Sequence, residues 1–120
     1  MKIVIVETGK AARIAEIEPT LQVMQAIVDG NITAVYPFED RVALVANDEG
    51  MYTKPLNRAI GDGCIFGDFF ICGLTDEDFG GLTDAQAQKY ARMFRYPHTF
   101  TKINGVLTGI DSNGYCIYRA

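Results

Sequence analysis

Asp68-Phe69-Phe70-Ile71-Cys72-Gly73-Leu74 is the stretch that most constrains the fold of this chain, because it is apolar on both faces of an extended strand. Successive side chains of a strand point to opposite sides of a sheet, so Phe69 and Ile71 share one side while Phe70 and Cys72 share the other. A strand that is apolar on both sides is normally covered on both sides. The sequence therefore predicts that this segment is a central strand.

Shorter apolar runs on either side of this segment supply its predicted neighbours. Runs of β-branched and aliphatic residues between turn residues are typical of strands. Asn47-Asp48-Glu49-Gly50 has the composition of a four-residue hairpin loop, with glycine where a positive φ is needed. Pro55 to Gly63 is predicted to be a loop or a single helical turn. The predicted strands are Lys2 to Val6, Ala12 to Glu18, Ile32 to Tyr36, Arg41 to Ala46, Met51 to Lys54 and Cys64 to Phe66.

Two segments have the periodicity of amphipathic helices. The first begins near Pro19, which suits a first helical turn, and ends before Gly30, which suits a left-handed C-cap. The second begins at a capping-box pattern formed by Thr83 and Gln86, and Pro97 ends it. The apolar stripes are Leu21, Met24 and Val28 in the first helix, and Ala87, Tyr90, Ala91 and Phe94 in the second.

The order of these elements predicts the fold class. Strands and helices do not alternate as they do in parallel βαβ units, so we expect an α+β fold: a small, mostly antiparallel sheet with two helices on one face. Val106 to Ile110 and Tyr115 to Tyr118 are two apolar runs around Asn113-Gly114, and they predict a C-terminal hairpin. We expect one domain over residues 1–120, with a core of residues 1–100 and a hairpin extension of residues 101–120.

The composition bounds the function. A chain of 120 residues that is 48% hydrophobic and 22% charged is typical of one globular domain. The net charge of −4 argues against a nucleic-acid partner, because a protein that binds nucleic acid needs a clustered basic face. The apolar run after Met1-Lys2 is too short for a signal peptide or a membrane span, so we expect no membrane partner and a cytoplasmic location. Three cysteines without a CxxC spacing predict reduced thiols.

Motifs for cofactors and metals are absent from the sequence. It contains no GxxxxGK[ST], no GxGxxG and no GxSxG. The only mixed zinc set that the residues allow is Cys64, Cys72, His98 and Cys116, which lacks the short paired spacings of structural zinc sites. We therefore predict no cofactor and no metal.

Two catalytic alternatives remain. Cys72 or Cys116 could act as a nucleophile with His98, the only histidine, or Glu39 and Asp40 could act as paired carboxylates. For Cys72, Cys116 and His98 a structural interpretation is favoured over catalysis. A cysteine between aromatic and aliphatic strand residues is usually an unreactive core residue. A histidine just past a helix end is usually a capping or surface residue.

Four residues are the predicted ligand-binding set: Tyr36, Asn47, Asn57 and Arg58. Asn57 and Arg58 lie in an apolar segment that would pack down and hold the guanidinium in place, and arginine suits carboxylate or phosphate groups. Tyr36 and Asn47 end the adjoining predicted strands, so we expect them at the same edge.

A structural interpretation of this set stands beside the ligand-binding one. In it, Arg58 pairs with Asp40, Glu49 or Asp62, and Asn57 satisfies the backbone of the predicted loop. The acidic run Asp76-Glu77-Asp78 is either a contact for a basic partner or a solvated loop.

Several segments together resemble a known family. They are Ala34-Val35-Tyr36-Pro37-Phe38-Glu39-Asp40, Ala43 to Gly50, Pro55-Leu56-Asn57-Arg58-Ala59, Gly67 to Leu74, and Asp78 to Thr83 with the helix that runs to Phe94. Over roughly residues 1 to 100 the chain resembles the family known as domain of unknown function 3846. The resemblance implies a small protein of bacteria, phages or other mobile elements, in which accessory proteins often act by binding.

These observations lead to one expectation and two alternatives. We expect a non-enzymatic binding protein of phage or mobile-element type, located in the host cytosol if phage-encoded and forming a homo-oligomer. It would bind a host or defence protein or sequester a small anionic ligand. The alternatives are the small Cys/His or carboxylate enzyme, and a structural domain whose C-terminal hairpin pairs sheet edges between subunits.

Overall fold

The computed structural model describes residues 1–120 and contains eleven strands and three helices. The helices are α1 (Leu21–Val28), α2 (Gly50–Thr53) and α3 (Asp84–Met93). The strands are β1 (Lys2–Val6), β2 (Arg13–Glu16), β3 (Ile32–Val35), β4 (Val42–Asn47), β5 (Leu56–Ile60), β6 (Gly63–Phe66), β7 (Phe69–Leu74), β8 (Phe79–Gly80), β9 (Thr99–Ile103), β10 (Val106–Ile110) and β11 (Cys116–Arg119).

The main sheet is antiparallel throughout and has the order β2-β1-β7-β4-β3, with the short β8 paired to the end of β7. β7 lies in the middle, where Ile71 is opposite Val4 of β1 on one side and Leu44 of β4 on the other. The central position predicted for this strand is confirmed. The acidic run Asp76-Glu77-Asp78 is followed directly by β8.

The two long helices cover opposite faces of this sheet. Ala87 and Tyr90 of α3, with Phe94 at its C-cap, pack with alternate strand residues such as Ile71. Met24 and Val28 of α1 pack with the strand residues between them. The prediction that both helices lie on one face is therefore wrong. The physical reason is that β7 is apolar on both of its faces, so each face must be covered by another element.

A second, two-stranded sheet lies on the α3 side. It consists of β5 and β6, and Ile60 and Ile65 pack against the α3-side core. The predicted loop over Pro55 to Gly63 is thus largely a strand, and the predicted return strand over Met51 to Lys54 is the short helix α2. Gly50 begins α2 with an ideal Cβ position only 2.8 Å from the carbonyl oxygen of Phe66, so glycine is required there by packing.

The C-terminal segment forms a third sheet with the order β11-β10-β9. The C-terminal hairpin is confirmed, and β9 is an additional strand on its other side, so β10 has a partner on both edges. The mixed class with antiparallel sheets is likewise confirmed. None of the three helices is long and apolar enough to cross a membrane.

Candidate functional site

Arg58 is fully buried on β5 and binds main-chain carbonyl groups rather than a carboxylate. Its guanidinium donates to the carbonyl oxygens of Lys10 at 2.6 Å and Phe94 at 3.0 Å, and to Oδ1 of Asn57 at 2.8 Å. Burial lowers the pKa of Arg58 to about 10. The predicted pairing with Asp40, Glu49 or Asp62 is wrong, because the guanidinium instead ties the turn after β1 and the end of α3 to β5.

Asn57 satisfies buried backbone from the same strand. Its Nδ2 donates to the carbonyl oxygens of Val6 at 2.9 Å and Gly67 at 2.8 Å, while its Oδ1 accepts from Arg58. A shift in the β5–β6 register between Leu56 and Arg58 accompanies this arrangement. Adjacent residues of the bulged strand can therefore both turn inward, and both side chains are used to join elements.

Asn47 closes the C-terminal end of α1. Its Nδ2 donates to the carbonyl oxygens of Val28 at 3.1 Å and Asp29 at 3.0 Å, and its Oδ1 accepts from the backbone N–H of Glu49 at 2.7 Å. It lines an open polar cleft of about 400 Å³ with Asp29, Glu49 and Lys54. The one cation of this cleft, Lys54, is already paired with Asp29, so the lining is better suited to a cationic than to an anionic group.

Tyr36 lies at the other end of the β3–β4 pair from Asn47. Asn47 is opposite Ile32 at the start of β3, whereas Tyr36 follows Val35 at its end. Tyr36 is 60% exposed and lines a separate cleft with Glu77. The prediction that Tyr36 and Asn47 share one edge is wrong, because in an antiparallel pair the end of one strand lies beside the start of the other.

Of the two cysteines considered for catalysis with His98, Cys72 lies on the other side of the main sheet from the histidine, and Cys116 is exposed at the start of β11. Cys72 is fully buried in the α1-side core, and burial raises the pKa of its thiol to about 12. His98 accepts a hydrogen bond of 3.0 Å at Nδ1 from the backbone N–H of Ala59, on the α3 side. Burial and the nearby charge of Arg58 lower the pKa of His98, against a smaller opposing effect of Asp111.

Asp40 is occupied by two neighbours on α3. Its Oδ2 accepts from Nζ of Lys89 at 2.8 Å and from the hydroxyl of Tyr90 at 2.7 Å. These hydrogen bonds, that of Lys89 first, lower the pKa of Asp40, and burial together with Asp40 raises the pKa of Tyr90. The adjacent Glu39 is exposed and forms no ion pair. The carboxylate of Asp40 is therefore an anchor for α3.

One edge of the main sheet is open and apolar. We call it the β3 edge surface and define it by Ile32–Val35, Tyr36 and Met51. Val35 is 41% exposed and Met51 62%. β3 pairs with β4 alone, and no other element donates to or accepts from its backbone. Val35 and Met51 line a shallow groove of about 160 Å³ that continues to Ile65 of β6.

The opposite edge of the same sheet is protected by charge. β2 contains Arg13, which pairs with Glu7, and Glu16, which pairs with the N-terminal ammonium group of Met1. Charged side chains on an edge strand discourage pairing with another chain. β3 has no charged residue, and Pro37 follows only after Tyr36. The two edges of the sheet are therefore unequal, and β3 is the unprotected one.

The comparison with known families supports the resemblance that the sequence indicates. The family described as Domain of unknown function (DUF3846) matches residues 1–95. The chain belongs to this family. No curated protein and no solved structure matches it. The DUF3846 match contains the whole β3 edge surface and Arg58, whereas His98 and the sheet β9–β11 lie beyond it.

Sequence reasoning missed the β3 edge surface of this DUF3846 member. Ile32 to Val35 is an uncharged strand, and Met51 is a large apolar residue next to a predicted turn. Both signals are visible in the sequence. Their meaning depends on which strand lies at the edge of the sheet, and that depends on long-range pairing.

Proposed function

We propose that this protein acts by binding another protein through the β3 edge surface, and that it is not a catalyst. The observation that carries the proposal is the open, uncharged edge of β3 beside the exposed side chains of Val35 and Met51. An unprotected edge strand is a template for a strand of another chain. Contiguous exposed apolar side chains next to it are typical of a recognition surface.

The open edge offers two kinds of contact at once. The outward N–H and C=O groups of β3 supply main-chain hydrogen bonds to an added strand, and the groove beside Val35 supplies a place for one of its side chains. Tyr36 adds an exposed aromatic ring with a hydrogen-bonding hydroxyl at the end of the strand. Affinity and selectivity would thus come from one continuous surface.

A protein partner is better supported than a small anion. Arg58, the residue expected to hold an anion, is enclosed, and its two terminal nitrogens donate to protein oxygens, among them the carbonyl oxygens of Lys10 and Phe94; its Nε has no hydrogen-bond partner. The cleft beside Asn47 presents the carboxylates of Asp29 and Glu49. We propose a host or defence protein as the partner class, on the strength of the mobile-element context that the family resemblance implies.

A matched pair of variants tests this function. Val35→Lys places a charge on the open edge, and Ile14→Lys places one on the protected edge. The two positions match closely: both are on the α3 side of an edge strand and are 41% and 39% exposed. The wild-type protein is used to select binders from a displayed library of bacterial protein fragments.

The selected fragments are then measured against both variants by calorimetry. We expect Val35→Lys to lower the affinity for these fragments at least about tenfold and Ile14→Lys to leave the affinity unchanged. Fragments that bind both variants like the wild type, or a library that yields no binder, would overturn the proposal. Circular dichroism and thermal unfolding establish that both variants are folded.

A further inference from the structure

Both ends of the β3 edge surface carry unpaired negative charge. Asp48 and Glu49 follow β4 beside the start of β3, where the N–H of Asp48 donates to the carbonyl oxygen of Asn31 at 2.8 Å. Glu77 and Asp78 line the cleft of Tyr36 at the other end. All four acidic residues are exposed, and none forms an ion pair.

Two cations close to these ends are already paired with other carboxylates. Lys54 pairs with Asp29, and Arg41 pairs with Asp76. The surface therefore presents an apolar, uncharged strand between two acidic ends. Complementary charge at the rim of a binding surface guides association and selects among partners.

A second copy of this chain does not fit the β3 edge surface. Antiparallel pairing of β3 with itself would bring Asp48 and Glu49 of one copy beside Glu77 and Asp78 of the other. Parallel pairing would bring each acidic end beside its own equivalent. Like charges oppose each other in both arrangements.

We infer that the partner contributes an extended segment that adds to β3 as a strand and carries lysine or arginine at both ends. This inference rests on the proposed function and names the chemistry of its partner. A strand rises about 3.3 Å per residue, so a stretch matched to the four residues of β3 places its basic flanks about five residues apart. Between the flanks, alternate residues of the segment are apolar.

The position of the groove determines which side of the partner segment must be apolar. Val35 lies opposite Leu44 and therefore faces the α3 side, where the groove also contacts Met51 and Ile65. A partner residue beside Val35 points to the same side of the extended sheet. An aliphatic side chain at that position would cover the exposed parts of Val35 and Met51.

Selection from a random displayed peptide library tests the inference directly. We expect enriched peptides to alternate apolar and polar residues between basic flanks, and to lose binding to Val35→Lys but not to Ile14→Lys. Enriched peptides that bind at β3 but carry acidic or uncharged flanks would overturn the inference and leave the proposed function standing. Peptides unaffected by Val35→Lys would overturn both.

The best enriched peptide then serves as the probe for charge and backbone contacts. We expect Asp48→Lys and Glu77→Lys each to weaken it about two- to fivefold, and Asp62→Lys, at an unpaired exposed site in the β5–β6 turn, to leave it unchanged. Binding should weaken as salt is raised from about 0.05 to about 0.5 M. Methylation of alternate backbone nitrogens should abolish binding in one of the two possible frames.

Two results from this probe would contradict strand addition by a basic segment. The first is equal binding of both N-methylated frames and the unmodified peptide, since an added strand needs its N–H groups. The second is an affinity that does not depend on salt, Asp48 or Glu77. Either result overturns the inference whatever sequence the peptide has.

Discussion

Arg58 donates a hydrogen bond of 3.0 Å to the carbonyl oxygen of Phe94, across 36 positions of the chain. The bond joins the second sheet to the C-terminal end of α3, and a further bond from the same guanidinium reaches the carbonyl oxygen of Lys10. One side chain thus supplies a donor to two carbonyl groups that lie far apart in the sequence. Arg58 is thus a structural tie between three parts of the fold.

Replacing Arg58 should destabilise the protein strongly. Arg58→Met keeps much of the side-chain volume but removes every donor of the side chain. The carbonyl oxygens of Lys10 and Phe94 then lose the hydrogen bonds that the guanidinium donates. We expect the free energy of unfolding in urea to fall by about 2–4 kcal/mol. The control Arg92→Met alters an exposed arginine in the last turn of α3 and should change it by about 1 kcal/mol at most. Equal, small effects of both variants would show that Arg58 is not a structural tie.

His98 should make stability depend on pH. Its Nδ1 accepts from Ala59 and must be unprotonated, and its pKa is lowered from the ordinary value of 6.5. As pH falls below 6.5, the unfolded chain gains a proton that the folded chain does not, so stability should fall with pH. Urea unfolding between about pH 5 and pH 7 should show this slope.

The variant His98→Gln isolates this effect. His98 is the only histidine, so no second imidazole titrates in the same range. We expect the variant to be less stable at pH 7 but nearly independent of pH in this window. A slope that persists in His98→Gln would assign the pH dependence to another group.

The three thiols should react with iodoacetamide in an order set by burial. Cys116 is exposed, Cys64 is half-buried with a pKa raised mainly by burial, and Cys72 is enclosed with a pKa of about 12. We expect Cys116 to be alkylated first and Cys72 only when the chain unfolds. Peptide mass spectrometry at neutral pH gives the order. Rapid labelling of Cys72 in the folded protein would favour the cysteine enzyme.

The sequence predicted those parts of the fold that depend on local pattern. Phe69 to Cys72 is apolar on both faces, and this pattern predicted the central position of β7. The capping box of Thr83 and Gln86 predicted the start of α3. A strand that is apolar on both faces must also be covered on both faces. The placement of α1 and α3 on opposite faces therefore follows from the same stretch of sequence.

Other parts of the structure depend on contacts distant in sequence. Asn57 and Arg58 resemble loop residues locally, and they lie in a strand because β6, Val6 and Phe94 supply their partners. The separation of Tyr36 from Asn47 follows from antiparallel pairing of β3 with β4. The open edge could not be located before the order of the strands was known.

If the β3 edge surface binds another protein, a charge at Val35 must lower the affinity for that partner. Calorimetry measures the affinity of a selected fragment for the wild type, Val35→Lys and Ile14→Lys side by side. We expect a loss of at least about tenfold for Val35→Lys and no change for Ile14→Lys. Equal affinity for the wild type and Val35→Lys, with both proteins folded, would contradict binding through the β3 edge surface.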